Sequence, residues 1–516
     1  MTTEHEALVA ALDAGEPFGD DAGAVARIDT HAAHVFLVGD RAYKLKRPVA
    51  FSFLDFSTVE ARRRALENEL RLNRRTAPDL YRRLVPLTRA DHGVALDGAG
   101  EVVDWVLEMR RFPQEQKLDR IAEGGPLDPA LARELGAAVA AFHRDAERRP
   151  DKGGHAGMAE VVAGNREDLE AAPAGVFARD EVAAVDHAAR RALARHAAVL
   201  DARRADGRVR HCHGDLHLGN IVRLESGVVP FDCIEFSEDI ACTDTMYDLA
   251  FLLMDLVERD QRPAAWTVLD AYLDAIDDLD GLAPLPFFMA VRATIRAKVI
   301  GLGIADPAGD AGKVATARRY LAVARALEPA PAPRLVAVGG FSGTGKTTLA
   351  RALAPAFDPA PGAIVLRSDV ARKRLWGVSP DSPLPEAAYA PEVSERVFAE
   401  LRERARRVLA AGTSVVVDAV HGRADERTAV EAVAGECGVR FDGLWLEAPV
   451  ERLVERVRGR MGDASDADEA VVRAQLERDT GTIRWRRLDA GCAPDRLAER
   501  ARAELGLDGG ALAAVG

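Results

Sequence analysis

The chain has 516 residues, 48% of them hydrophobic and 29% charged, and carries a formal net charge of −13. That length suits two to four folding units, and the acidity argues against a protein whose main task is gripping nucleic-acid phosphates. No apolar run approaches the roughly 18 residues of a membrane span and residues 1–23 lack a signal-peptide core, so a cytoplasmic protein without membrane partners is expected.

Residues 4–14 read as a helix. From His34 the pattern changes to short strands, His34–Val38 and Ala42–Lys46, joined by a Gly39-Asp40 turn with hairpin chemistry. Side chains alternate faces along a strand, so Ala42, Lys44 and Lys46 share one face. An Ala-x-Lys pair on a strand resembles the protein-kinase-like fold, and the resemblance implies a small residue beneath adenine and an ammonium beside phosphates. Lys44 is the first choice for that ammonium and Lys46 the alternative.

The next helix is expected over residues 58–75, with Ser57 as its N-cap. The same resemblance implies that one of its glutamates holds the strand lysine, Glu69 by its position, with Glu67 as the alternative. A strand over Val102–Met109 leads to Arg110-Arg111-Phe112-Pro113, where the same resemblance implies a hinge whose backbone groups meet adenine. The helix Leu131–Arg148 has an apolar period of 3.6 through Leu135, Val139 and Phe142, and His143 on it is expected to be packed or capping.

The densest chemistry lies in His211-Cys212-His213-Gly214-Asp215-Leu216-His217-Leu218-Gly219-Asn220, followed by a hairpin that ends in Asp232. Phosphoryl transfer from ATP needs a base at the acceptor hydroxyl and oxygen ligands for Mg²⁺, a hard cation. Asp215 fits the base, and Asn220 and Asp232 fit the metal ligands. The five cysteines form no C-x-x-C pair, which excludes a zinc cluster of that type; Cys212 and Cys233 are expected as packed small side chains.

These residues resemble the catalytic and metal-binding loops of the aminoglycoside phosphotransferase family, a branch of the protein-kinase-like fold, and the resemblance covers most of residues 30–325. It implies a bilobal α+β domain, here bounded at 1–328. It also implies that Asp248, in Asp244-Thr245-Met246-Tyr247-Asp248, steadies the catalytic loop.

Glu328-Pro329-Ala330-Pro331-Ala332-Pro333 cannot continue a helix and favours an extended spacer, so 329–333 is the expected linker. After it, Arg334–Val338 is a buried-strand pattern entering Gly340-Phe341-Ser342-Gly343-Thr344-Gly345-Lys346-Thr347-Thr348 and then a helix. That is G-x-x-x-x-G-K-[ST] in its required context. Gly340, Ser342, Gly343, Thr344, Gly345 and Thr348 would cradle phosphates, Lys346 would reach the terminal ones, and Thr347 would ligate Mg²⁺. Strands Ile364–Asp369 and Ser414–Asp418 each end in an aspartate, and Asp369 and Asp418 can converge with Lys346 at one sheet edge.

Residues 334–507 resemble small P-loop kinases of the AAA type, akin to gluconate kinase, polynucleotide kinase and zeta-toxin-like proteins. The resemblance implies an α/β P-loop domain over 334–516 with a parallel sheet. In it Asp369 would orient or deprotonate the acceptor, Asp418 would serve the metal, Arg456 and Arg460 would close over phosphates, and Arg423 and Arg427 would touch substrate.

The expectation is an ATP- and Mg²⁺-dependent phosphotransferase with two nucleotide sites, acting on hydroxylated small molecules. One alternative makes one domain catalytic and the other nucleotide-sensing. Another makes the C-terminal domain a polynucleotide-end kinase. Residues 1–330 hold 42 basic against 54 acidic side chains; the acidic run from Glu235 to Asp280 favours an amino sugar as acceptor for the first domain, because negative walls concentrate cations.

Overall fold

The structure, a computed structural model, describes residues 2–18, 24–51, 54–90, 93–327, 331–379, 382–459 and 465–507. The chain forms two compact units, residues 1–160 with 200–255, and residues 161–199 with 256–516.

The first unit is built on a six-stranded sheet. Strands β1 (Ala26–Asp29), β2 (Ala33–Val38), β3 (Arg41–Lys46), β4 (Tyr81–Arg89), β5 (Val94–Leu96) and β6 (Val102–Arg110) lie in the order β1-β2-β3-β6-β4-β5, and every neighbouring pair is antiparallel. The period-2 pattern of β3 divides its side chains. Tyr43 and Leu45 join Leu12, Phe36, Val85 and Val106 in one apolar layer. Ala42 joins Leu66, Leu80, Leu107, Val222 and Val229 in the other. Full burial of each such aliphatic side chain contributes about 1.5–3 kcal/mol, which fixes the register and thereby puts Lys44 and Lys46 on the face that meets helix α1 (Val59–Asn73). Thr58, rather than Ser57, caps that helix, its hydroxyl accepting from the Ala61 N–H. Helix α2 (Pro129–Asp145) and the hairpin of β7 (Ile221–Leu224) and β8 (Gly227–Pro230) follow, with Glu134 of α2 accepting from the Val228 N–H.

In the second unit, five parallel strands, β9 (Arg334–Gly339), β10 (Ile364–Arg367), β11 (Val415–Asp418), β12 (Arg440–Glu447) and β13 (Arg486–Asp489), lie in the order β10-β11-β9-β12-β13. All-parallel strands need both faces covered, and their near-continuous apolar sequences show it. Helix α3 (Arg262–Ala275) supplies part of the cover: Trp266 is buried among Val336, Val338, Leu349 and Val416, and its indole N–H donates to the Ala363 carbonyl at 2.8 Å. The compact units therefore divide by packing and not at the proline-rich segment. No described helix is long and apolar enough to cross a membrane.

Candidate active sites

Three elements of the first unit converge on one charged cluster. Lys44 Nζ donates to Glu69 Oε1 at 2.6 Å and to Asp232 Oδ1 at 2.5 Å. Lys46 Nζ lies 2.6 Å from Glu69 Oε2 and donates to Glu235 Oε1 at 2.5 Å. Glu69 thus serves both lysines from the buried side of α1, whereas Glu67 is exposed and pairs with Arg63. Burial pulls the Lys44 ammonium down, but Asp232 and Glu69 outweigh it and hold the group above its ordinary value. Burial pushes the Asp232 carboxyl up, and Lys44 more than reverses that.

Asp232 has φ of 63°, a left-handed conformation uncommon for any residue but glycine and enriched at functional positions. Its backbone N–H donates to the Tyr81 hydroxyl at 3.0 Å, and the next N–H, of Cys233, donates to Asn73 Oδ1 at 3.0 Å. The strained turn is therefore held from β4 and α1.

The catalytic-loop residues meet next to it. Asn220 Nδ2 donates to the Asp215 carbonyl at 3.0 Å and to Asp215 Oδ2 at 2.9 Å, fixing the two expected side chains against each other. The loop is fastened from behind by Asp248, whose carboxylate accepts from the N–H groups of His213 at 3.1 Å and Gly214 at 2.8 Å. Buried His143 completes the arrangement, with Nε2 3.1 Å from Asp248 Oδ2. His143, Cys212 and Asp248 lie close enough to hold a metal ion. However, the Asp248 oxygens are already committed to donors, and burial pushes the Cys212 thiol well up, away from the thiolate a metal needs. Arg75 adds a further strap, donating to the carbonyls of His211 at 2.6 Å and Cys212 at 3.2 Å.

The second unit brings its expected residues to the carboxyl ends of β9, β10 and β11. A cavity of about 780 Å³ is lined by the loop from Phe341 to Thr348 together with Asp369, Asp418, Arg456 and Ser465. Gly343 has φ of 86°, and a Cβ there would sit 2.6 Å from the Leu453 carbonyl oxygen, so no other residue fits. Thr347 Oγ1 donates to Asp418 Oδ2 at 2.6 Å. Lys346 Nζ donates to the Phe341 carbonyl at 3.1 Å, and Arg456 donates to Gly343 O at 3.4 Å and Ala490 O at 3.0 Å. Arg460 lies outside the described residues.

Burial pushes the Asp369 carboxyl above the ordinary aspartate range, and Asp418 adds to it, while Lys346 and Arg367 oppose. Gln475, which no motif marks, covers the Ser342 N–H with its side-chain oxygen at 2.8 Å. Arg427 is spent on backbone: it donates to the carbonyls of His421, Gly422 and Thr480 and does not present itself to a substrate. Arg423 pairs with Asp425.

The acidic run is not a field of free charge. Glu235 pairs with Lys46, Glu238 with Arg149 at 3.0 Å, and Asp239 with Lys152 at 2.6 Å, while Asp255 accepts from the Leu218 N–H at 3.0 Å. Glu258 pairs with Arg319, Asp277 with Arg404 at 2.8 Å, and Asp280 with Arg407 at 3.1 Å. Sequence counts charges without their partners, and here the partners come from up to 189 residues away, as in Glu235 and Lys46. The basic stretch around Arg452 is similarly committed, Arg452 to Glu455 at 3.2 Å and Arg458 to Glu469.

A family model described as the phosphotransferase enzyme family matches residues 31–285, and one described as an AAA domain matches residues 335–480. The uncharacterized proteins Rv2004c of Mycobacterium tuberculosis and Mb2027c of Mycobacterium bovis are each 30% identical to this chain over 465 residues, which is 88% of this chain and 90% of theirs. Among solved structures, a choline/ethanolamine kinase family protein from Mesorhizobium loti is 16% identical, with a TM-score of 0.37 over 63% of this chain and 99% of its own. A gluconokinase from Sinorhizobium meliloti is 24% identical, with a TM-score of 0.25 over 34% of this chain and 93% of its own. With a protein-kinase-like α+β fold in its N-terminal part and a P-loop α/β fold in its C-terminal part, the chain joins a domain of the phosphotransferase enzyme family to an AAA domain and belongs to the family of these mycobacterial proteins.

Proposed function

We propose that each part is an ATP- and Mg²⁺-dependent centre that moves a γ-phosphoryl group to a hydroxyl of a small molecule, and that the functional division falls at 329–333, between 1–328 and 334–516. The observation that carries the reading is the convergence of Lys44, Glu69 and Asp232 beside the bonded pair Asp215 and Asn220. The chain's donor sets suit the implied groups: oxygen ligands for Mg²⁺ and a glycine-rich turn at a helix N-terminus for phosphates. When bound, ATP and Mg²⁺ supply the phosphoryl group and the neutralisation of its charge.

In the first centre Asp215 takes the proton of the acceptor hydroxyl, and Lys44, held by Glu69, orients phosphates, with Lys46 bracing Glu69 from the other side. Asn220 and Asp232 are the metal ligands. In the second centre the loop Gly340–Thr348 binds phosphates, Lys346 steadies the transferring group, Thr347 and Asp418 serve the metal, and Asp369, whose carboxyl is raised by burial and so is a better proton acceptor than an exposed aspartate, is the base. Arg456, which lines the cavity, is the arginine that closes over the nucleotide.

Polyhydroxylated small molecules, amino sugars included, are the acceptors for the first centre. Many carboxylates of the acidic run are held by arginine, lysine or backbone partners, while the excess of 54 acidic over 42 basic side chains in residues 1–330 still favours a cationic acceptor. The same pairing around Arg452 and Arg458 removes the support for a polynucleotide-end kinase.

The test uses the full chain, since Trp266 makes residues before 334 part of the P-loop core. Asp215→Asn should lower transfer by the first centre about 100-fold or more, the usual contribution of a positioned base, while leaving Lys346-dependent transfer in place. Lys346→Ala should do the reverse. Screening both variants with γ-labelled ATP against sugars, amino sugars and nucleosides would show it. One activity lost in both variants and none lost separately would favour a single catalytic domain with a nucleotide-sensing partner.

A further inference from the structure

One polar side chain of the second unit stands on a face that is otherwise apolar. Helix α4 (Glu469–Leu476) is capped by Asp468, which accepts from the Val471 N–H at 2.9 Å. Its Val472 is buried with Leu453 and Val457, and Leu476 and the phosphate-loop residue Phe341 pack against them. Gln475 comes three residues after Val472, hence on the same side of the helix, and is buried there. Burying an amide is unfavourable unless it is hydrogen-bonded, and here the side-chain oxygen accepts from the Ser342 N–H at 2.8 Å.

That N–H belongs to the peptide unit whose carbonyl anchors the loop from within. The Phe341 oxygen accepts from Lys346 Nζ at 3.1 Å, from the Thr344 N–H at 3.2 Å and from the Thr344 hydroxyl at 2.8 Å. A trans peptide is planar, and its carbonyl and N–H point opposite ways. The loop therefore holds one side of the plane with its own donors, while the other side is held from outside the loop, by Gln475.

We infer that Gln475 is a positioning residue of the second centre, fixing the rotation of the Phe341–Ser342 peptide and with it the shape in which the loop receives phosphates. This rests on the reading of the loop given above. Without the amide oxygen the Ser342 N–H loses its acceptor, and a buried donor left unmet is costly. The empty loop then relaxes by turning that peptide toward the cavity, which Ser342 lines. Phosphates bind only after it has turned back, so affinity falls with the fraction of chains that hold the receptive shape.

The experiment titrates the full chain with ADP and Mg²⁺ by calorimetry, with Lys44→Met in every sample to silence the first centre, and records melting curves alongside. Gln475→Met, which keeps the length of the side chain and removes the acceptor, should bind ADP about tenfold more weakly, the factor that one hydrogen bond of roughly 1.4 kcal/mol carries. Gln475→Asn, whose oxygen is withdrawn by one methylene, should do the same and serves if the first variant does not fold. Val472→Ala, which takes packing from the same helix face and leaves the bond, should lower the melting temperature more and the ADP affinity less. Unchanged ADP affinity in the Gln475 variants, or a loss that Val472→Ala reproduces, would overturn the inference. Lys346→Ala separates the two readings. ADP binding lost there with no effect at position 475 overturns the inference alone, and ADP binding kept there overturns the reading of the second centre with it.

Discussion

Lys46 shows how a residue can matter without touching the chemistry. It is almost fully buried and shares Glu69 with Lys44 while pairing with Glu235. Removing one partner of a buried ion pair costs about 3–5 kcal/mol because the other charge is left uncompensated. Lys46→Met should accordingly lower the unfolding free energy by that order, and adding Glu235→Gln should recover part of the loss, as a double-mutant cycle by denaturant unfolding would measure. Strictly additive effects would mean that the two side chains do not couple. The buried histidines set a second expectation. Burial lowers the His211 imidazole from 6.5 to about 4 and the His421 imidazole from 6.5 to about 3. Both are neutral in the fold, so the unfolded chain binds more protons below pH 6.5. Stability from these groups is complete above pH 6.5 and is lost progressively as pH falls toward 4 and 3. His421→Phe should flatten that acid limb in a series of melting curves, and an unchanged limb would contradict the assignment.

At the scale of elements, what was legible in the sequence was what sits close together in it. Asp215 and Asn220 are five residues apart on one loop, the phosphate loop is nine consecutive residues, and β3 declared its lysine face by alternation alone. What was not legible came from elsewhere in the chain on unremarkable residue types. Asn73 reaches the Cys233 N–H across 160 positions, Tyr81 meets the Asp232 N–H across 151, and Gln475 covers the Ser342 N–H across 133. A one-residue slip in the cap of α1, Thr58 for Ser57, reflects two adjacent residues with equal capping chemistry. The most consequential of these long contacts is Trp266, which lies in the part matched by the phosphotransferase model yet packs in the P-loop core. Trp266→Ala should cost about 3–5 kcal/mol of stability in the unit that holds the phosphate loop. Hydrogen exchange on β9 and β10 would report it as faster exchange there than in β3, and equal protection in mutant and parent would show that the indole is dispensable.

For the whole molecule, the acidic excess of the first part suggests a cation-gathering wall, and the structure compensates many of those carboxylates locally with arginine, lysine or backbone partners. The excess that is left should make kcat/KM for an amino sugar fall with salt more than that for its neutral hydroxyl analogue, as the Debye length shrinks from about 10 Å at 0.1 M to about 3 Å at 1 M, and equal falls would contradict it. The fold assembles two sets of polar groups, one around Lys44 and Asp232 and one around Lys346 and Asp418, and the proposed function gives each of them a nucleotide. The number of nucleotides bound per chain tests this directly. Calorimetric titration of the full-length protein with a non-hydrolysable ATP analogue and Mg²⁺ should give two sites per chain, falling to one in Lys346→Ala and to one in Lys44→Ala. A single site in the parent protein, or a single substitution that abolishes both without unfolding it, would contradict the account.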